Sequence, residues 1–128
     1  MAYEGAQIKF GNLTAAADLS SKQFHFVKLA SATTVNVCNN IADVPIGILQ
    51  NAPTSGQAAE ITIFGISKVV ADGTLAAGNI IGTSADSQAD AITRGSDSTV
   101  TVMGVAIEAG AAGETVTMFL NPSGCRAA

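Results

Sequence analysis

The sequence predicts a mainly β chain: a compact single-domain β-sandwich or small barrel built from two related hairpin halves, with an extended N-terminal arm. Three observations carry that prediction. No segment of more than about seven residues shows the i, i+3, i+4, i+7 apolar spacing of an amphipathic helix. Short runs rich in β-branched and aromatic residues are punctuated by Pro, Gly and Asn at intervals of about eight to twelve residues, as in small all-β domains. The stretch Pro45 to Gly65, PIGILQNAPTSGQAAEITIFG, also recurs as Val102 to Leu120, VMGVAIEAGAAGETVTMFL. Gly47 and Gly56 lie nine apart, as do Gly104 and Gly113, and the two pairs are offset by 57 residues. Ala59, Ile61 and Ile63 then align with Val116, Met118 and Leu120. That period of two belongs to a strand with one buried face.

In chain order, residues 1–14 hold Tyr3, Ile8, Phe10 and Leu13 in a polar, glycine-broken segment, and an extended arm is expected there. The β domain is expected over 15–121, with halves at about 22–67 and 78–121. The stretch Ala15 to Ser21, AAADLSS, is short enough for one helical turn or a linker, and a lone turn is marginal without tertiary support. Phe24, Phe26, Val27 and Leu29, a small-residue turn at Ala30 to Thr33, and then Val35 and Val37 predict a hairpin. A polar connection through Asn39, Asn40 and Asp43 leads to Pro45, which starts a strand where its missing N–H does least harm.

Within each copy of the repeated stretch, an apolar strand (Ile46 and Ile48; Met103, Val105 and Ile107) needs a return partner, and a small-residue loop allows the reversal. Gly47 and Gly104 mark a bulge or a close backbone approach, and Gly56 and Gly113 mark the turns. Between the copies, Asp72-Gly73 is a turn, Asn79 to Thr83 and Ala91 to Thr93 are short strands, and Ser84 to Asp90 is a polar reversal. Approximate twofold symmetry is expected between the halves. Ile61, Ile63, Met118 and Leu120 are expected to enter one shared core, with Thr62, Thr117 and Phe119 facing away. The tail, 122–128, reads as a frayed end.

Composition narrows the function. A net charge of −4 and six scattered basic residues disfavour nucleic-acid binding. Charged residues make up only 12% of the chain, which reads as surface destined for burial against partners. No apolar run approaches eighteen residues and the N-terminus lacks a basic, then apolar, leader, so no membrane association and no export are expected. Cys38 and Cys125 are expected to remain free thiols.

Catalytic chemistry has no foothold in the pattern. His25 is the lone histidine, no GxSxG elbow is present, and Asp86, Asp90 and Asp97 lack the spacing of an EF-hand loop. One histidine and two distant cysteines do not supply a zinc site. No enzyme activity, catalytic residue, metal or cofactor is expected.

The segments AAADLSSKQFHFVKL, PIGILQNAPTSGQAAEITIFGISKV, GTLAAGNIIGTSADSQA and MGVAIEAGAAGETVTMFL resemble the capsid decoration, or cement, proteins of tailed bacteriophages. The resemblance covers roughly Ala15 to Leu120, and Pro45 to Val69 is its most specific part. It implies a non-enzymatic virion protein, assembled in the host cytoplasm, that sits on the outer surface of an expanded head. There it clamps neighbouring major capsid subunits, often as a homotrimer. Tyr3, Ile8, Phe10 and Leu13 are the expected capsid-binding residues, because an extended arm of this kind adds to a sheet edge of its partner. The rival reading is a β-barrel adhesive or carbohydrate-binding module of a phage head. The absence of Trp and the single Tyr weigh against it, since sugar platforms need exposed aromatic faces.

Overall fold

Strand β5, Ala58–Val70, is long enough to serve two sets of neighbours, and the chain is organised around it. The computed structural model describes residues 2–122, so Cys125 and most of the expected tail lie outside the described residues. In order, the strands are β1 (Gln7–Ala15), β2 (Phe26–Leu29), β3 (Thr34–Val37), β4 (Gly47–Leu49), β5, β6 (Ile80–Thr83), β7 (Ala89–Ala91), β8 (Gly104–Ala106) and β9 (Thr115–Leu120). Among the described residues there is no helix.

All nine strands belong to one sheet, in the order β1-β3-β2-β4-β5-β9-β8-β6-β7, rather than to two packed sheets. β1 also pairs with the N-terminal half of β5, so β1, β3, β2, β4 and β5 form a closed ring. The C-terminal half of β5 pairs with β9, and the sheet continues through β8, β6 and β7. Ala71, directly after β5, bridges Ala89 in β7 and completes a second ring.

The two rings repeat one wiring scheme. Leu13 pairs with Ala59 in the first and Val69 with Val116 in the second; Phe26 pairs with Ile48, and Ile80 sits opposite Val105. Loop hydrogen bonds repeat too. The Ala15 amide donates to Gln57 and the Ala71 amide to Glu114, while the Leu19 amide donates to Pro53 and the Leu75 amide to Gly110. The repeat therefore begins in β1 and not near residue 22, and its second copy begins inside β5 and not near residue 78.

This corrects the expected free arm. Residues 7–15 are a strand of the first ring, laddered to β5 and, at Thr14 and Ala15, to β3. Gln7, Lys9, Gly11 and Asn12 give it a polar, glycine-broken composition, which is why it reads as an arm, but Leu13 and Ala15 point into the ring and are buried, while Ile8 and Phe10 are exposed.

The expected single core is also corrected. Leu13, Leu19, Leu49 and Ile61 pack inside the first ring, whereas their counterparts Val69, Leu75, Ala106 and Met118 pack with Leu120 inside the second. Ile63 is half-buried at the edge of the first core. Thr62 and Thr117, expected outside, are wholly buried. Thr62 Oγ1 donates to the Gln7 carbonyl oxygen Oε1 (2.7 Å), and Thr117 Oγ1 accepts from the Tyr3 amide (2.8 Å), so each hydroxyl is satisfied by the segment that covers it.

The four aligned glycines occupy equivalent places. A Cβ at Gly47 would strike the Thr62 carbonyl, and one at Gly104 would strike the Phe119 carbonyl, at the same offset as the glycines themselves. Gly56 and Gly113 turn the chain with φ of 82° and 85°, a region that side chains with a Cβ disfavour.

Candidate binding surfaces

The titratable groups are dispersed rather than convergent. His25 is buried, with Nδ1 3.1 Å from the Gln23 carbonyl and Nε2 3.3 Å from the Gln88 side-chain amide. Burial pushes its pKa down. Burial likewise pushes the Asp90 carboxyl up, aided by Asp72 and Asp97. The Asp97 carboxylate accepts the Thr93 amide at 2.6 Å, a loop-closing role. Among the described residues, no three His, Cys, Asp or Glu side chains group to hold a metal ion.

What the surface offers is apolar. Ile8 on β1 pairs with Phe64 on β5; Ile66 on β5 pairs with Phe119 on β9, which pairs with Val105 on β8, which pairs with Ile80 on β6. Directly paired residues share a face, so these side chains form a stripe across five strands. Ile8, Phe64 and Val105 are exposed, and the Phe64 and Phe119 rings meet edge to face at 5.6 Å. Residues 3–6 run along the stripe. The Gly5 amide donates to the Ile66 carbonyl, and Tyr3, tied to Thr117 through its backbone, leaves its own ring half exposed.

A second apolar surface is the open mouth of the first ring, a groove of about 390 Å³ lined by Phe10, Leu13, Leu29, Ala32, Ile46 and Ile63. The matching mouth of the second ring is closed. Phe26, Cys38 and Ile48, on the outside of the first ring, pack into the core that holds Met103 and Leu120, the counterparts of Ile46 and Ile63. The Phe26 amide donates to the Ser87 carbonyl at the rim of that mouth. The contact between rings is thus head to tail, outer face of one against mouth of the other, and not the expected twofold relation.

No protein-family model and no curated protein matches the chain. Among solved structures there is a match in fold. The chain is similar to the N base of head fiber gp8.5 in bacteriophage phi29, with a TM-score of 0.62 over 91% of this chain and 95% of that one, at 16% sequence identity. Coverage of that extent takes in both rings, so the likeness to the phi29 head-fiber base concerns the two-ring architecture and not one hairpin motif.

The four residues expected to bind a partner are divided between two places, with Phe10 and Leu13 sharing the groove at the mouth and Tyr3 and Ile8 lying outside it. Register shifts between Ile8 and Lys9, and between Phe10 and Leu13, place Ile8 opposite Phe64 but Phe10 opposite Ile61. Tyr3 and Ile8 lie along the outer stripe, Phe10 lines the mouth, and Leu13 is only 5% exposed, in the first core. Bulges re-aim side chains in this way, and alternation alone gives no sign of them. The outward facing of Phe119 is legible in the alternation of β9, whereas that of Phe64 is not, because β5 carries apolar residues on both faces, and β8 is too short for alternation to place Val105.

Proposed function

We propose that the chain is a structural protein of a bacteriophage head: a decoration protein that binds the outer surface of the expanded head as a homo-oligomer and clamps neighbouring major capsid subunits. The observation that carries this reading is the fold likeness to the phi29 head-fiber base, which spans nearly all of both chains. The resemblance of the sequence to decoration proteins points the same way. On this reading, the Tyr3, Ile8 and Phe64 end of the stripe meets the capsid. Exposed contiguous apolar side chains of this kind mark interaction surfaces, and the ladder beneath them is rigid, so little entropy is lost when they are covered.

Co-sedimentation tests the proposal. The purified protein should pellet with expanded empty heads of its phage and show no binding to soluble glycans. Phe64→Asp, which adds a charge at an exposed position without touching either core, should remain folded and lose head binding by at least tenfold. Binding to glycans without binding to heads would favour the adhesive reading.

A further inference from the structure

The internal repeat gives each ring an outer face and a mouth, and the described residues use only one of each. On the first ring the outer face is Phe26, Cys38 and Ile48, all at most 1% exposed because they plug the second ring. The corresponding outer face of the second ring is Ile80, Ile92 and Val105. The correspondence is set by hydrogen bonding. The Cys38 amide donates to Phe26 as the Ile92 amide does to Ile80, and the Leu49 amide donates to His25 as the Ala106 amide does to Asn79. These three residues are again apolar, yet Val105 is 39% exposed and Ile80 and Ile92 are only half-buried. Conversely, the plugged mouth holds Thr83, Ser87, Met103 and Leu120, all buried, whereas the first ring's mouth leaves Leu29 54% and Phe10 37% exposed.

We infer that a second copy of this chain fills the vacancy: the Ile80, Ile92 and Val105 face of one copy docks in the Phe10, Leu29, Ile46 and Ile63 mouth of the next, repeating between molecules the contact that joins the two rings within one. The occupant is chosen by the chain's own geometry, because the plug that already fits one mouth of this wiring has a largely apolar duplicate, bordered by Arg94 and Asn121, that no other core among the described residues receives. The open mouth is lined by aliphatic and aromatic side chains where the internally plugged one has Thr83 and Ser87 at its rim. Such an interface is heterologous, and it closes into a ring or extends according to the rotation between copies. Val105 and Ile8 are three strand spacings apart, about 14 Å. Ile8 on β1 therefore stays outside this contact, whereas Phe119, which pairs with Val105, borders it.

Light scattering in the absence of heads tests this apart from capsid binding. The wild-type protein should show a mass above the monomer that dissociates on dilution. Val105→Asp, which spoils the face, and Leu29→Asp, which spoils the mouth, should each be monomeric while keeping wild-type far-ultraviolet dichroism. An equimolar mixture of the two variants should form a dimer, since Leu29→Asp retains a good face and Val105→Asp a good mouth. As a second measurement, Leu29→Cys and Val105→Cys proteins, each also carrying Cys125→Ser, should form a disulfide-linked pair when mixed and oxidised, and neither should form a disulfide-linked dimer alone. A wild-type monomer at about 100 μM, variants that stay associated, or a mixture that stays monomeric would each overturn the inference. So would cross-linking of either cysteine variant to itself.

Discussion

Ile48 and Val105 hold the same place in the two rings, each at the centre of a three-residue strand paired as in the other copy, yet Ile48 is wholly buried and Val105 is 39% exposed. The difference comes from what lies outside the ring. Ile48 has the second ring's core against it, whereas among the described residues no core packs on Val105, which borders a shallow surface with Ile80, Arg94 and Asn121. Residues made equivalent by backbone wiring are thus made unequal by stacking, and the inequality locates the surfaces available to partners.

Substituting the aligned glycines should rank them. Gly56→Ala and Gly113→Ala meet open space and cost only the left-handed backbone penalty, about 1–2 kcal/mol. Gly47→Ala and Gly104→Ala drive a methyl into the Thr62 and Phe119 carbonyls, which belong to laddered strands and cannot step aside. Overpacking of that sort costs about 1–3 kcal/mol or more, and Gly104, at φ 150°, adds backbone strain. Thermal unfolding should show Gly104→Ala as the most damaging of the four. Equal melting temperatures for Gly104→Ala and Gly113→Ala would contradict the account.

β1 should behave as part of the fold. Deleting residues 2–13 opens the first ring and exposes Leu49 and Ile61, so the cooperative unfolding transition should be lost or strongly lowered. Thr62→Ala should cost about 1–3 kcal/mol, because it removes a buried donor and strands the Gln7 acceptor. Calorimetry of the two proteins checks both outcomes, and a deletion variant that melts like the full chain would show that β1 is dispensable.

The sequence exposes most of the backbone plan and little of the surface. The Gly47/Gly104 and Gly56/Gly113 offset is legible because close backbone approach and left-handed turns leave few alternatives to glycine. The equivalence of Leu19 with Leu75, or of Phe24 (φ 66°) with Gly78 (φ 90°), is not legible, since it resides in hydrogen bonds that different side chains share. β1 is obscured because bulges break its alternation and Gln7, Lys9, Gly11 and Asn12 give it the composition of a linker. The split into two cores is obscured because alternation assigns residues to a face and not to a neighbour.

His25 should make stability depend on pH. Burial is the main cause of its lowered pKa, with the nearby Lys22 charge adding to it and the Gln23 carbonyl opposing it. The folded state therefore holds the imidazole neutral while the unfolded chain titrates near 6.5. This contribution is complete above about pH 6.5 and is lost as the pH falls below it. His25→Asn, which installs the residue found at the matching Asn79, should reduce the loss of melting temperature between pH 7.5 and pH 5. Parallel profiles for the two proteins would contradict the assignment.

Cys38 should be inert in the native protein. It is 1% exposed, and burial, with help from Asp43, raises its pKa to about 12, leaving almost no thiolate at neutral pH. In a Cys125→Ser background, a thiol reagent at pH 8 should label no site without denaturant and one site with it. Rapid native labelling would mean that the two rings separate readily, because Cys38 lies in the contact between them.

The central claim, that this two-ring protein is a structural component of a phage head, is tested most directly by a cryo-electron microscopy reconstruction of expanded heads saturated with it. The account predicts density for the protein on the outer capsid surface, bridging neighbouring capsid subunits, with Tyr3, Ile8 and Phe64 turned towards the shell. Heads that remain bare under saturating protein would contradict the claim itself, and bound protein with Phe64 facing solvent would contradict the assigned surface.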